Sequence, residues 1–339
     1  MVAPEHPPDH RMKTATKAAL GLLVAAALLA LVEGGLRLAG LGPAYRADVV
    51  GWRMQPDLDQ HRMQRPQDGI DFAVSTNADG LRTTLPRQKG RGRVRVAVMG
   101  DSTVFGWGVA DREALPTRLE EALRRAGRRD VEVLNAAQPG YSSAQLLRLY
   151  DDVVAGYAPD VVLLFPPQHD RTPALVSDLE AVRGADGPVG AARIGLARHS
   201  RIYHLLWLAI GGAPGPDTAG GDQLHRPGVV RVPRVSDAER GRILDALMER
   251  GVGVVVGLFP FYPDLHHGPE SPGGDGPGVA ELRALAEARG LPVVDVRHCC
   301  GPDADALVFE RDKWHLNARG NREVAGALAR ELPAHLPAR

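Results

Sequence analysis

The stretch Arg93-Val94-Arg95-Val96-Ala97-Val98-Met99-Gly100-Asp101-Ser102 decides how the rest of the chain is read. Residues 93–99 are a short, largely apolar run of the kind expected for a strand buried on both faces of a parallel sheet. Similar runs recur at residues 131–135, 161–165, 252–259 and 292–296. The segments between them have helical spacing. Leu115, Leu119 and Leu123 recur every four residues; Leu146, Leu147, Tyr150 and Val154 form a second stripe, and Leu282, Leu285 and Ala286 a third. Ser236-Asp237-Ala238-Glu239 reads as a capping box opening a helix that carries Ile243, Leu244 and Leu247. A last helix is expected over residues 319–332, with Val324, Ala325 and Leu328 on one face. Strands alternating with helices predict a doubly wound α/β domain.

Two stretches interrupt the alternation. Residues 171–235 read as a long insertion, with a helix expected over 201–210 and a Gly/Pro-rich loop over 211–228; residues 268–278 form a second such loop. Both leave the carboxyl ends of strands, the edge at which open α/β sheets bind ligands. They can form a lid or a specificity wall there, and they read equally as surface loops without a role.

Upstream, residues 42–90 are poor in helix signals and read as an extended linker or a small β region, with a turn at Asn77-Ala78-Asp79-Gly80. Residues 18–32 are an uncharged apolar run behind Arg11, Lys13 and Lys17, the arrangement of a signal sequence or signal anchor. Leu36, Leu38 and Leu41 extend it toward the roughly 20 residues of a spanning helix. Residues 18–41 are therefore expected to be a retained transmembrane anchor rather than a cleaved signal peptide, with residues 1–17 a polar cytoplasmic tail. Glu33 and Arg37 stand at i,i+4, where they can pair at the interface. This topology puts the remainder of the chain beyond the cytoplasmic membrane.

The bulk numbers exclude several classes. At 339 residues one main domain is the default. Lys plus Arg (41) equals Asp plus Glu (41), and no basic stripe is interleaved with aromatics, so nucleic-acid binding is not expected. The only cysteines, Cys299 and Cys300, are adjacent. They cannot build a disulfide framework, and a bridge between neighbours needs an unusual peptide geometry, so two small thiols in a loop or core are expected.

The chemistry-bearing residues follow the strands. Ser102 comes just after the first, residues 135–143 after the second, Gln168-His169-Asp170 after the third, and Asp312-Lys313-Trp314-His315 beyond the fifth. In a parallel sheet these positions meet at one edge. A serine there, an imidazole to take its proton and a carboxylate to orient the imidazole are the parts of nucleophilic acyl transfer. Ser102, opening a helix, would offer its own N–H to a developing oxyanion, and Gly140 another, since a residue without Cβ allows close approach. Each motif alone has a plainer reading. Gly-Asp-Ser is commonly a turn or helix cap, and Trp314-His315-Leu316-Asn317 can be a helix-entry loop with a core histidine. No Gly-x-Ser-x-Gly elbow surrounds Ser102, and Gly106-Trp107-Gly108 lacks the dinucleotide-binding spacing. His266, His267 and His298 have no recognised metal-ligand spacing, so no metal site is expected.

Together the motifs are more specific. Met99-Gly100-Asp101-Ser102 with Phe105-Gly106-Trp107-Gly108-Val109, then Asn135-Ala136-Ala137-Gln138-Pro139-Gly140-Tyr141, then Asp312-x-x-His315-Leu316-Asn317 with Gly320, resemble the SGNH (GDSL-type) hydrolase superfamily. The single apolar N-terminal segment, Gly51-Trp52-Arg53 and Asn77-Ala78-Asp79-Gly80-Leu81-Arg82 resemble its membrane-anchored bacterial subgroup. The resemblance covers about residues 93–332, within a hydrolase-like domain expected over residues 91–335. It implies a flavodoxin-like three-layer α/β/α sandwich, a five-stranded parallel sheet of order 2-1-3-4-5, and no cofactor. It also implies Ser102 as nucleophile, His315 as base, Asp312 as acid and Gly140 as an oxyanion donor, with Asp101 beside them. The third block departs from the pattern. Where the superfamily has Gly-x-Asn-Asp, this chain has Pro167-Gln168-His169-Asp170. His169, or Gln168 if the loop shifts, would have to supply the donor that the asparagine supplies elsewhere.

The expectation is an exported serine esterase, single-pass in a bacterial cytoplasmic membrane with its catalytic domain outside. It would cleave an O-acyl ester, such as an O-acetyl, on an envelope or secreted carbohydrate. Two alternatives stay open: transfer of the acyl group to a sugar hydroxyl by the same triad, and a non-catalytic binding or assembly protein that keeps the fold.

Overall fold

The computed structural model describes residues 10–38, 44–48, 51–174, 176–185, 187–203, 206, 232–260, 277–297, 299–300 and 304–338. Strands β5 (Val94–Met99), β6 (Val131–Asn135), β7 (Val161–Leu164), β10 (Gly253–Leu258) and β11 (Val293–Asp295) form one sheet, all pairs parallel, in the order β6-β5-β7-β10-β11. Counted along these five, that is 2-1-3-4-5, the expected doubly wound order. Alternate residues of β5 explain the three layers, because successive side chains leave opposite faces. Val96 and Val98 pack with Leu115, Leu119 and Leu123 of α3 (Leu115–Arg125) and with Val324 and Leu328 of α9 (Ala318–Glu331). Ala97 and Met99 pack on the other face with Leu146 and Leu149 of α4 (Ser143–Asp152), Leu244 and Leu247 of α7 (Asp237–Glu249) and Leu282 of α8 (Pro277–Glu287). The expected capping box is formed: Ser236 accepts from the Glu239 N–H, and Glu239 accepts from the Ser236 N–H.

One residue of β5 breaks the apolar pattern. Arg95 is fully buried and lies opposite Glu132 of β6, to which it donates at 2.8 and 3.1 Å. Its remaining donor reaches the carbonyls of Arg87 at 2.9 Å and Tyr157 at 2.8 Å. Removing one partner of a buried ion pair strands the other. Arg95→Met is therefore expected to lower stability by about 3–5 kcal/mol, measured by denaturant unfolding; a loss below about 1 kcal/mol would show that Glu132 is adequately held by Arg93 and solvent.

The segment before β5 is integrated with the sheet domain. It contains two antiparallel hairpins, β1 (Tyr45–Asp48) with β2 (Gly51–Met54) and β3 (His61–Arg65) with β4 (Ile70–Val74). Trp52 Nε1 donates to the Pro139 carbonyl at 2.9 Å, and Met54 N to Gln138 Oε1 at 3.0 Å. The buried Arg82 guanidinium donates to the carbonyls of Phe105 (3.2 Å), Gly106 (2.7 Å) and Val109 (2.6 Å) and to Asp111 (2.7 Å). Residues 52–82 thus brace the loops that follow β5 and β6.

At the N-terminus, α1 (His10–Leu38) is one continuous helix, and Thr16–Leu36 is long and apolar enough to cross a membrane. Residues 10–17, expected in a polar tail, are helical instead. Helix growth is cooperative, so a long apolar helix extends readily into flanking Lys, Thr and Ala. Glu33 accepts from the N–H groups of Arg201 (3.0 Å) and Ile202 (3.1 Å) and from the Ser200 hydroxyl (3.3 Å), while the side chain of Arg37 lies outside the described residues. Within the insertion, α5 (Asp178–Ala185) and α6 (Pro188–His199) lie between the two strands of a short antiparallel neck, β8 (Pro173–Ala174) with β9 (Val232–Pro233). The helix expected over 201–210 and the loops at 211–228 and 268–278 lie largely outside the described residues. Cys299 and Cys300 form a vicinal disulfide. This corrects the expectation of two thiols: the backbone after β11 accommodates the bridge with no cis peptide among the described residues.

Candidate active site

The site is assembled at the carboxyl edge of the sheet. Asp101, between β5 and the short helix α2 (Ser102–Phe105), caps that helix by accepting from the Thr103 N–H at 3.0 Å and the Thr103 hydroxyl at 2.7 Å. The helix stops after one turn because Gly106 takes a left-handed conformation (φ 86°) and returns its N–H to the Ser102 carbonyl. Ser102 is consequently the first helical residue, where a backbone N–H has no intrahelical acceptor, and among the described residues it has no other. Its half-buried hydroxyl is free to face the cleft.

The histidine loop is closed by its own side chains. Asn317 caps α9 through its Oδ1 and donates from Nδ2 to the carbonyls of Ala306 and Val308, each at 2.9 Å. A β-bridge between Val308 and Leu316 completes the loop. Within it, Asp312 Oδ1 accepts from the Trp314 N–H at 2.9 Å, and Asp312 Oδ2 lies 2.6 Å from His315 Nδ1. His315 Nε2 is 2.8 Å from Ser102 Oγ. With the carboxylate on Nδ1, that nitrogen keeps the ring proton and Nε2 presents its lone pair to the serine. Burial opposes ionisation of Asp312, but the His315 hydrogen bond and charge and the Trp314 N–H outweigh it and hold the carboxyl below its ordinary value.

Gly140 comes from the loop after β6. Gln138 N donates to the Gly100 carbonyl at 3.0 Å, tying this loop to the end of β5. Gly140 has φ 73°, a conformation that glycine adopts without strain, and its buried N–H has no partner among the described residues. A Ser–His–Asp relay flanked by unpaired backbone donors can attack an acyl carbonyl and receive the negative charge that develops.

The model of the GDSL-like lipase/acylhydrolase family matches residues 98–323. The chain belongs to this family. As a member of a family of acylhydrolases with the SGNH fold, it is an ester-cleaving hydrolase. Among solved structures it is similar to a lipase/acylhydrolase from Enterococcus faecalis (17% identity, 73% of this chain and 98% of that one, TM-score 0.44). It is also similar to an acetyl-xylooligosaccharide esterase from Geobacillus (16% identity, 72% and 96%, TM-score 0.42). No curated protein matches the chain.

In this acylhydrolase the third block is a single 3-10 turn, residues Gln168–Arg171. Gln168 is exposed and makes no hydrogen bond among the described residues, so the loop is not shifted to bring it in. His169 is the neighbour of the site: its Nε2 lies 3.9 Å from Asp101 Oδ2, beyond hydrogen-bond reach, and its side chain is one-third exposed (33%). Burial holds the imidazole below its ordinary pKa; Asp101 pulls the other way, and Arg234 and His315 add to the depression. The net depression favours the neutral form of this ring beside the relay. Asp170 turns away into the protein, where it accepts from the Ser143 N–H at 2.7 Å and hydroxyl at 2.6 Å, and burial pushes its carboxyl up to about 6.

Two residues at the site were given no role by the sequence reading, although Trp52 stands in the quoted Gly51-Trp52-Arg53. Trp52, on β2, and Arg234, at the end of the insertion neck, both reach the Gly140 loop. Neither stands in a motif whose spacing points to the site. His266, His267 and His298 lie outside the described residues.

Proposed function

We propose that this acylhydrolase is an exported serine esterase that removes an O-acyl group, such as acetyl, from an envelope or secreted carbohydrate. What supports it is the unbroken chain from Asp312 through His315 to Ser102, at 2.6 and 2.8 Å, beside the unpaired N–H groups of Ser102 and Gly140. Ser102 Oγ bonds to the acyl carbon while its proton passes to His315 Nε2. The carbonyl oxygen becomes an oxyanion facing the two N–H donors. Collapse breaks the ester C–O bond, and His315 returns the proton to the leaving alcohol. Water then repeats the sequence on the acyl-serine and releases the acid. Asp312 holds the tautomer and offsets the charge of the imidazolium. Helix α1 supports export and retention, because its length and apolar surface suit a membrane span ahead of the catalytic domain. Labelling the full chain with a fluorophosphonate tests the nucleophile: one probe per chain, lost in Ser102→Ala, is expected, and no labelling with no hydrolysis of acetyl esters would overturn the assignment.

His169 supplies the third oxyanion donor in this reading, as a neutral imidazole. His169→Ala is expected to lower kcat about 10²-fold with KM little changed, and His169→Asn to recover most of the loss. A change below threefold in the alanine variant would remove His169 from the oxyanion site.

A further inference from the structure

We propose that Trp52 and Arg234, which belong to neither the sheet nor the relay, are positioning residues that together fix the direction of the Gly140 N–H. The inference rests on Gly140 acting as an oxyanion donor, as set out above. Gly140 is flanked by two peptide groups, and each is held by its carbonyl. The Pro139 carbonyl accepts from Trp52 Nε1 at 2.9 Å; the Gly140 carbonyl accepts from Arg234 Nη1 at 3.0 Å. In a trans peptide the C=O and N–H point in opposite directions. Holding the Pro139 oxygen on one side therefore aims the Gly140 N–H to the other. Holding the Gly140 oxygen stops the following peptide from turning about the glycine, whose missing Cβ would otherwise permit a flip.

Both clamps are rigidly mounted. Trp52 is 4% exposed, its ring meets Tyr141 edge-on at 6.0 Å, and its own carbonyl accepts the Tyr141 hydroxyl. Arg234 is 5% exposed and uses its other donors on Asp178 Oδ2 at 2.8 Å and Gln145 Oε1 at 2.7 Å. Asp178 also accepts from the Ser142 hydroxyl at 2.6 Å, and Gln145 from the Ser142 N–H at 2.9 Å, so the residues following Gly140 are gripped by the same network. The backbone of Arg234 is fixed as well, its N–H on the Thr172 carbonyl at 3.0 Å and its carbonyl on the Asp178 N–H at 2.7 Å. An N–H kept unpaired and buried costs stability, so the peptide tends to turn toward a partner unless it is restrained. Two independent clamps on one glycine provide that restraint, and they come from opposite sides of it in sequence: the hairpin before the domain and the neck of the insertion.

The decisive variants are Trp52→Phe, which keeps an aromatic ring and deletes the N–H, and Arg234→Gln, with Arg234→Lys as the conservative partner. Steady-state hydrolysis of p-nitrophenyl acetate by the full-length protein is compared with wild type and with Ser102→Ala, and folding is followed by thermal melts. Each single variant is expected to lose about ten- to a hundredfold in kcat with KM within about twofold, and Arg234→Lys to recover part of the loss. Because both clamps act through one N–H, the double variant is expected to lose no more than a full donor is worth, about 10²–10³, rather than the product of the singles. A boronic acid that forms a tetrahedral serine adduct should bind more weakly in proportion to kcat. If wild type hydrolyses the ester through Ser102 while both single variants keep kcat within threefold, or lose it only through KM, the positioning role is overturned. If wild type itself is inert, the esterase reading fails instead. Should Trp52→Phe melt below the assay temperature, Arg234→Gln and Arg234→Lys decide the matter alone.

Discussion

Replacing Ser102 by alanine is expected to lower kcat/KM for short acyl esters by at least about 10⁴-fold without disturbing the fold. Among the described residues the side chain makes one hydrogen bond, to His315 Nε2, and its hydroxyl supports no backbone group. The cap of α2 is made by Asp101 and Thr103, so the loop after β5 keeps its shape when the hydroxyl is lost. Without a nucleophile, only the backbone donors and substrate binding remain, and these leave a small residual rate over water. Rates are to be measured with p-nitrophenyl acetate alongside fluorophosphonate labelling and a melting curve. A variant that melts like wild type and keeps more than a tenth of its activity would place the nucleophile elsewhere.

The second large effect is expected at Asp312. Asp312→Asn should lower kcat about 10⁴-fold, through the tautomer of His315 rather than through its position. The Trp314 N–H donates to Oδ1 of Asp312 at 2.9 Å, so an asparagine placed there directs its carbonyl to that N–H and its NH₂ to His315 Nδ1. Nδ1 must then accept, the ring proton moves to Nε2, and the nitrogen facing Ser102 can no longer take a proton. In wild type, hydrogen bonding outweighs burial and keeps the Asp312 carboxyl below its ordinary value, so its support persists as pH falls through the usual carboxylate range. Since its folded pKa is depressed, the stability it contributes is full above the unfolded value and is lost progressively as pH falls from there through the depressed folded value. Kinetics from pH 5 to 9 would check the first effect, and melting curves of wild type and Asp312→Asn taken from pH 6 down to acid would check the second. A rate within tenfold of wild type would show that His315 is oriented by other groups.

The doubly wound α/β class was legible because strands buried on both faces must be apolar almost throughout, and five such runs alternate with helices; the strand order itself came only from the family resemblance. The relay was legible because Asp312 and His315 are three residues apart and Ser102 directly follows a strand. Less could be read where one side chain answers many distant partners. Arg95 sits inside an apolar run, and nothing nearby in sequence announces that Glu132, one strand away, neutralises it. Trp52 and Arg234 reach Pro139 and Gly140 across 87 and 94 residues, and such long-range bonds to backbone carbonyls leave no side-chain pattern to detect. The third block lay between these extremes. His169 could be named as a departure, but its separation from Gln168 required the turn geometry that exposes one and tucks the other against Asp101. The extension of α1 through residues 10–17 and the bridge between Cys299 and Cys300 went against local expectation, the first through helix cooperativity and the second through a backbone arrangement no composition reveals.

Arg82 sets a practical boundary. Its guanidinium closes the exposed carbonyls at the end of the nucleophile helix, although it lies upstream of the first sheet strand and of residue 98, where the family match begins. A soluble fragment trimmed to the sheet domain would lose it, together with Trp52. Among the described residues, the Val109 carbonyl would be left open, those of Phe105 and Gly106 would keep only Asn135 Nδ2 at 3.2 Å and the Val109 N–H at 3.3 Å, and the Gly140 loop would lose a wall. A piece that lacks helix α1 but keeps the contacts around the Ser102 and Gly140 loops therefore starts near Ala44, and the two hairpins travel with the sheet domain as part of its working unit.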